Sequence, residues 1–71
     1  MAQTIEFYDQ RAAEARAEAE AATLANVRDR ALRSAKSWQE LADQARYVAK
    51  EREKYERERI ARREDEAQAA N

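Results

Sequence analysis

The chain contains no cysteine, no histidine, no glycine and no proline among its 71 residues. Without cysteine it has no disulfide, no thiolate nucleophile and no thiolate metal ligand. Without histidine it lacks the commonest general base and the commonest zinc ligand. The absence of glycine excludes a phosphate-binding glycine loop and hairpin turns of the Asn-Gly type. We therefore expect no metal, no cofactor and no enzymatic activity.

Strong helix formers dominate what remains, namely Ala, Glu, Arg, Lys, Gln and Leu. The sequence therefore predicts an all-α protein. A chain of this size buries only about 60% of its unfolded surface even when it folds compactly. Small scaffolds usually add a disulfide, a metal or an oligomer, and only the oligomer is left here. We accordingly expect a homo-oligomer, most simply a dimer.

Charged residues make up 41% of the chain, yet the net charge is only -1. Such a balance argues against a general nucleic-acid binder and against a protein that binds anionic membranes. No apolar run approaches the roughly 18 residues of a membrane span. Residues 1–6 lack the basic and apolar segments of a secretory leader. The expected location is the cytoplasm, with no membrane attachment.

The apolar stripe of the chain changes its helical phase near residue 23. The first stripe consists of Ile5, Tyr8, Ala12, Ala15, Ala19 and Ala22. The second consists of Leu24, Val27, Ala31, Ser34, Trp38, Leu41, Ala45 and Val48. On one straight helix the two stripes would lie about 200° apart, because each residue turns about 100°. A turn within residues 22–26 lets them face each other, and this predicts an antiparallel two-helix hairpin.

The predicted helices span about residues 4–22 and 24–66. Thr4 is the expected N-cap of the first helix, and Thr23 the expected N-cap of the second, with Asn26 as a weak capping-box partner. The missing glycine is an objection, since many helices end on a left-handed glycine. A continuous or domain-swapped long helix is therefore the alternative. Residues 1–49 would form the hairpin, and residues 50–71 a charged helical extension that frays over 67–71.

Large apolar residues define a predicted core and a predicted surface. The predicted core residues are Ile5, Tyr8, Trp38, Leu41 and Val48, with Trp38 filling space over the alanine face of the first helix. The short first helix cannot cover the remaining group, which is Tyr47, Tyr55 and Ile60. Exposed apolar residues along one helix commonly mark a partner surface. Self-association into a dimeric four-helix bundle is the simplest use, and a different protein partner is the alternative.

A concentrated positive patch begins the second helix and comprises Arg28, Arg30, Arg33 and Lys36. We first interpret this patch as a solvated face of the second helix that pairs with the acidic first helix. The second interpretation is a face that binds RNA or DNA, although the balanced charge makes nucleic acid the weaker prediction. The predicted function is accordingly that of a non-enzymatic protein acting through protein–protein interaction as an adaptor or regulator, with nucleic-acid binding as the alternative.

Several segments of the chain follow a pattern typical of one group of proteins. They are Phe7-Tyr8-Asp9-Gln10-Arg11-Ala12, Ala21-Ala22-Thr23-Leu24-Ala25-Asn26-Val27-Arg28-Asp29-Arg30, Leu32-Arg33-Ser34-Ala35 and Trp38-Gln39-Glu40-Leu41-Ala42. Over residues 5–48 the chain resembles short, uncharacterised bacterial proteins built as helical hairpins. Many of those carry Asp-Pro where this chain has Leu24-Ala25. The resemblance implies the hairpin fold and implies no activity.

Overall fold

The computed structural model describes residues 4–70 and contains two α-helices. Helix α1 spans Ile5–Ala21, helix α2 spans Ala25–Ala70, and residues 22–24 join them. The two helices pack against each other in a body of 71 × 17 × 17 Å. Helix α2 continues four residues past its predicted end at residue 66. Residues 1–3 of the predicted hairpin domain and Asn71 of the predicted frayed end lie outside the described residues.

Thr4 caps the start of α1. Its backbone is extended (φ -82, ψ 160), and its hydroxyl accepts a hydrogen bond of 3.1 Å from the backbone N–H of Phe7. This bond satisfies one of the N–H groups that the first turn of a helix leaves without a partner. Glu6 in the same turn places a negative charge near the positive end of the helix dipole. The predicted N-cap of the first helix is confirmed.

Helix α1 ends without a left-handed residue. Ala22 is extended (φ -72, ψ 132), and its N–H donates to the carbonyl of Ala19 at 3.3 Å. The Arg28 guanidinium reaches back from α2 and donates to the Ala22 carbonyl at 3.1 Å. No residue from 4 to 70 has a positive φ. The chain thus turns with no glycine because Ala22 is extended rather than left-handed, and the Arg28 side chain satisfies the Ala22 carbonyl.

The predicted N-cap of the second helix is wrong. Helix α2 begins at Ala25, and the Leu24 carbonyl accepts the first helical hydrogen bond, from the Arg28 N–H at 3.0 Å. Leu24 therefore occupies the cap position, one residue after Thr23. A leucine side chain has no oxygen with which to cap the free N–H groups. Residue type alone favours Thr23 as the cap, so we attribute the start of α2 at Ala25 to the packing of α2 on α1.

The helices run antiparallel, as two polar contacts between them show. Asp9 forms an ion pair with Arg46, and Arg16 donates a hydrogen bond to Gln39, so α1 advances as α2 returns. The buried residues of the described chain are all alanines: Ala12, Ala15, Ala19, Ala31, Ala35 and Ala42. Alanine on both faces lets helix axes come close together, but each methyl group buries little apolar area. The core of the hairpin is therefore thin.

Leu41 and Val48 are not core residues of this hairpin, contrary to prediction. Their exposed fractions are 41% and 40%, while Ala42 beside Leu41 is fully buried. Helix α2 is turned about its axis so that Ala35 and Ala42 face α1. Two alanine faces pack more closely than an alanine face and a leucine face, because interaxial distance follows the side chains at the contact. Of the other predicted core residues, Ile5, Tyr8 and Trp38 are each half-buried.

The C-terminal part of α2 projects beyond α1, and every residue from 52 to 70 is exposed. Ion pairs along this segment join Arg57 to Glu53 and Arg59 to Glu56. Pairs of this spacing each stabilise an isolated helix by about 0.2–0.5 kcal/mol. Within residues 4–70, neither helix has a segment both long enough and apolar enough to cross a membrane.

Candidate protein interaction surface

An aromatic cluster joins α1 to α2 near the open end of the hairpin. The rings of Phe7 and Trp38 meet edge to face with centroids 5.8 Å apart, and the Tyr8 ring lies 6.1 Å from Trp38. The Arg11 guanidinium lies 5.4 Å from the Trp38 ring centre and 5.9 Å from that of Phe7. Edge-to-face rings and a cation over a ring face both attract. The cluster supplies the large side chains that the alanine seam lacks.

A stripe of exposed apolar side chains follows α2 at intervals of seven residues. Val27, Leu41, Val48 and Tyr55 have exposed fractions of 38%, 41%, 40% and 64%. Ser34 fills the remaining position of the repeat. We call these five residues the α2 stripe. A seven-residue apolar repeat is the pattern by which one helix packs along another.

Helix α2 therefore carries two apolar faces side by side. The first contains Ala31, Ala35 and Ala42, and α1 covers it. The second is the α2 stripe, which α1 leaves exposed. Helices inside bundles show such a wide apolar arc because they pack against more than one neighbour. The arc of α2 is wider than a single short helix can bury.

The three residues predicted to form a partner surface are all exposed, but they do not share one face. At about 100° per residue, Tyr55 lies only about 20° around α2 from its stripe neighbour Val48, whereas Tyr47 lies about 100° from Val48 and Ile60 about 140° from Tyr55. Only Tyr55 continues the α2 stripe. Sequence reasoning missed Val27, Leu41 and Val48 as surface residues because it assigned them to the hairpin seam. The signal that could have separated them is the run of Ala35, Ala42 and Ala49 beside that seam.

The basic residues predicted as a nucleic-acid face are exposed but dispersed. Arg28 lines a shallow depression with Arg16 and Glu20 on one side of the hairpin, whereas Arg30 lines another with Glu18 on the opposite side. Arg28 also donates to the Ala22 carbonyl. Within residues 4–70, neither these two nor Arg33 and Lys36 form an ion pair with a carboxylate of α1. The geometry does not assemble the four cations into one face.

One ion pair on the projecting segment, Glu56 with Arg59, shifts the pKa values of both its members. Arg59 donates a hydrogen bond from its Nε to a carboxylate oxygen of Glu56 at 3.2 Å. This bond, together with the charge of the guanidinium, lowers the pKa of Glu56 below its ordinary value. Both side chains are exposed, so the pair stabilises one turn of the helix and forms no site. Across residues 4–70 no cluster of carboxylates is suited to hold a metal ion.

The α2 stripe is therefore the candidate interaction surface of the described residues. The aromatic cluster flanks it on one side, and the projecting segment continues it. Apart from the hydroxyls of Ser34 and Tyr55, the residues of the stripe offer only apolar contact, so the stripe is suited to packing against another helix. Comparisons with protein-family models, with curated proteins and with solved structures find no match to this chain.

Proposed function

We propose that this protein is a non-enzymatic helical module that acts through protein–protein interaction. It pairs with a second copy of itself to form a dimeric helical bundle, and the dimer serves a further protein partner as an adaptor or regulator. The proposed location is the cytoplasm. The absence of histidine and cysteine from the sequence, and the shallow depressions of the described surface, support a binding role over a catalytic one.

The observation that carries this proposal is the α2 stripe. Fully burying a leucine or valine side chain contributes about 1.5–3 kcal/mol relative to leaving it exposed. Leu41 and Val48 each leave about two-fifths of their surface exposed in the isolated hairpin, whose own seam is alanine. A second helix laid along the stripe would cover both. Self-association thus supplies the burial that the alanine core does not.

Light scattering coupled to size exclusion, at tens of micromolar protein, tests the proposal. We expect a dimer for the native sequence and a monomer for Leu41→Lys and Val48→Lys. The control is Tyr47→Lys, which changes a more exposed side chain of the same helix outside the stripe and should leave the dimer intact. Circular dichroism establishes that each variant is still helical. A native chain that stays monomeric at high micromolar concentration contradicts the proposal.

Nucleic-acid binding through Arg28, Arg30, Arg33 and Lys36 is the less supported function, because these side chains point to different sides of α2. A titration with RNA and with DNA at several salt concentrations tests it. Phosphate contacts would make the affinity fall steeply with added salt. We expect no salt-dependent binding, and a steep dependence removed by Arg33→Glu would favour this function after all.

A further inference from the structure

We propose that the second copy docks antiparallel along the α2 stripe, with the two-fold axis beside Leu41. This inference rests on the proposed self-association and adds its direction and register. In a two-fold dimer the same surface of both copies forms the interface. If one residue of the first copy contacts a different residue of the second copy, the same two residues also meet with the copies exchanged. The α2 stripe meets this condition in one register, as its residue types and the charges beside it indicate.

The five positions of the stripe are spaced symmetrically about Leu41. In the antiparallel register Leu41 faces Leu41 of the second copy, Ser34 faces Val48 and Val27 faces Tyr55. A shift by seven residues in one direction would place Val27 against Arg62. A shift in the other direction would carry Tyr55 past the turn, where it has no helix to face. The register centred on Leu41 therefore covers all four apolar residues of the stripe.

The charges beside the stripe are complementary in the same register. At about 100° per residue, Arg30 and Glu51 lie on the flank of the stripe opposite Ala31 and Ala35, and Arg30 also lines one depression with Glu18 of α1. In an antiparallel pair the same flank of both helices meets, so Arg30 of each copy approaches Glu51 of the other. Ser37 and Gln44, both uncharged and polar, meet between these two pairs. Charge complementarity of this kind selects register and partner more than it adds affinity.

The flank beside α1 agrees with this arrangement. Glu18 of α1 lies next to Val27 and Ser34, with which it lines one depression. In the proposed register Val27 and Ser34 face Tyr55 and Val48 of the second copy. Arg52 lies between Val48 and Tyr55 on α2, so Arg52 of the second copy comes close to Glu18. A parallel pair in register would instead place Arg62 against Arg62 and Ser34 against Ser34. The antiparallel pair leaves Arg62 outside the shared segment.

The antiparallel dimer has a distinctive length. The paired segment from residue 27 to residue 55 is about 42 Å long at 1.5 Å per residue. Residues 56–70 then project from both ends, and the distance between the two copies of residue 70 is about 87 Å. A parallel dimer would be no longer than the 71 Å of one chain. Small-angle X-ray scattering of the native dimer distinguishes these lengths.

Disulfide trapping tests the register, and the absence of native cysteine keeps the experiment clean. We expect Leu41→Cys to form a disulfide-linked dimer with itself. Ser34→Cys and Val48→Cys should form none alone but a mixed dimer when combined, identified by its mass. Two copies of residue 34 lie about 21 Å apart along the antiparallel pair, far beyond the reach of a disulfide. The native light-scattering result comes first, because a monomer there would end both proposals.

The outcomes separate the inference from the proposed function. Dimers linked through Ser34→Cys alone, with a length near that of one chain, would overturn the antiparallel register and leave self-association standing. A charge exchange gives an independent measurement. We expect Arg30→Glu to weaken the dimer by about tenfold, since two exposed pairs are lost, and the addition of Glu51→Arg to restore it. A double variant as weak as the single one would also overturn the register.

Discussion

Phe7 of α1 and Trp38 of α2 meet edge to face with ring centroids 5.8 Å apart, and they anchor the hairpin at the end away from its turn. The buried residues of the described interface are all alanines. Alanine contacts permit many registers, since one methyl group resembles the next. The aromatic cluster, with Arg11 over both rings, gives the hairpin a single preferred alignment.

Trp38→Ala should destabilise the hairpin by about 3 kcal/mol, the lower end of the cost of truncating a buried tryptophan, because Trp38 is half-buried. In so thin a core we expect the cooperative thermal transition to disappear, as followed by circular dichroism. Tyr47→Ala, at an exposed position of the same helix, serves as the control and should leave the transition in place. A normal transition in the Trp38 variant would refute the anchoring role.

Thr4→Ala should destabilise the protein by about 1 kcal/mol, because the Phe7 N–H loses its hydrogen-bond acceptor. The chain provides a matched control in Thr23→Ala. Thr23 precedes the cap position of α2, so its loss should change the free energy of unfolding little. Chemical denaturation of both variants measures the difference, and equal effects would argue against the assigned caps.

Leu24→Asp combined with Ala25→Pro should stabilise the hairpin by about 1 kcal/mol. Aspartate at the cap position can accept hydrogen bonds from the first turn of α2, and proline suits the first helical position. Thr23→Asp is the control, because it places the carboxylate one residue too early. A gain from the control equal to that of the double variant would show that the cap position is misassigned.

The projecting helix should lose support from Glu56 in acid. Arg59 lowers the pKa of Glu56 below the ordinary value of 4.5, so the ionised carboxylate is favoured in the helix. The stabilisation is therefore present above that ordinary value and is lost as the pH falls through the lowered pKa. An NMR titration of the Glu56 carboxyl carbon should give a midpoint below 4.5, and Arg59→Gln should raise it. An unchanged midpoint in that variant would contradict the pairing.

Much of the architecture was predictable because it depends on local properties. The absence of glycine and proline and the many helix formers predict two helices. The phase change between Ala22 and Leu24 predicts the turn, and the hydroxyl of Thr4 ahead of Glu6 predicts the first cap. The candidate surface was only partly predictable. Tyr55 was identified, but the stripe to which it belongs was assigned to the seam.

The sequence by itself determined that the chain is helical, that it turns near residue 23 and that α2 is longer than α1. Helical periodicity and helix propensity depend on residues close together in the chain, so they can be read from the sequence. Only the tertiary structure decided which face of α2 is covered. Ala35 and Ala42 compete with Leu41 and Val48 for α1, and the outcome depends on how closely two helix axes can approach. That distance is set jointly by side chains far apart in the chain. The same competition leaves Leu41 exposed at the centre of the α2 stripe.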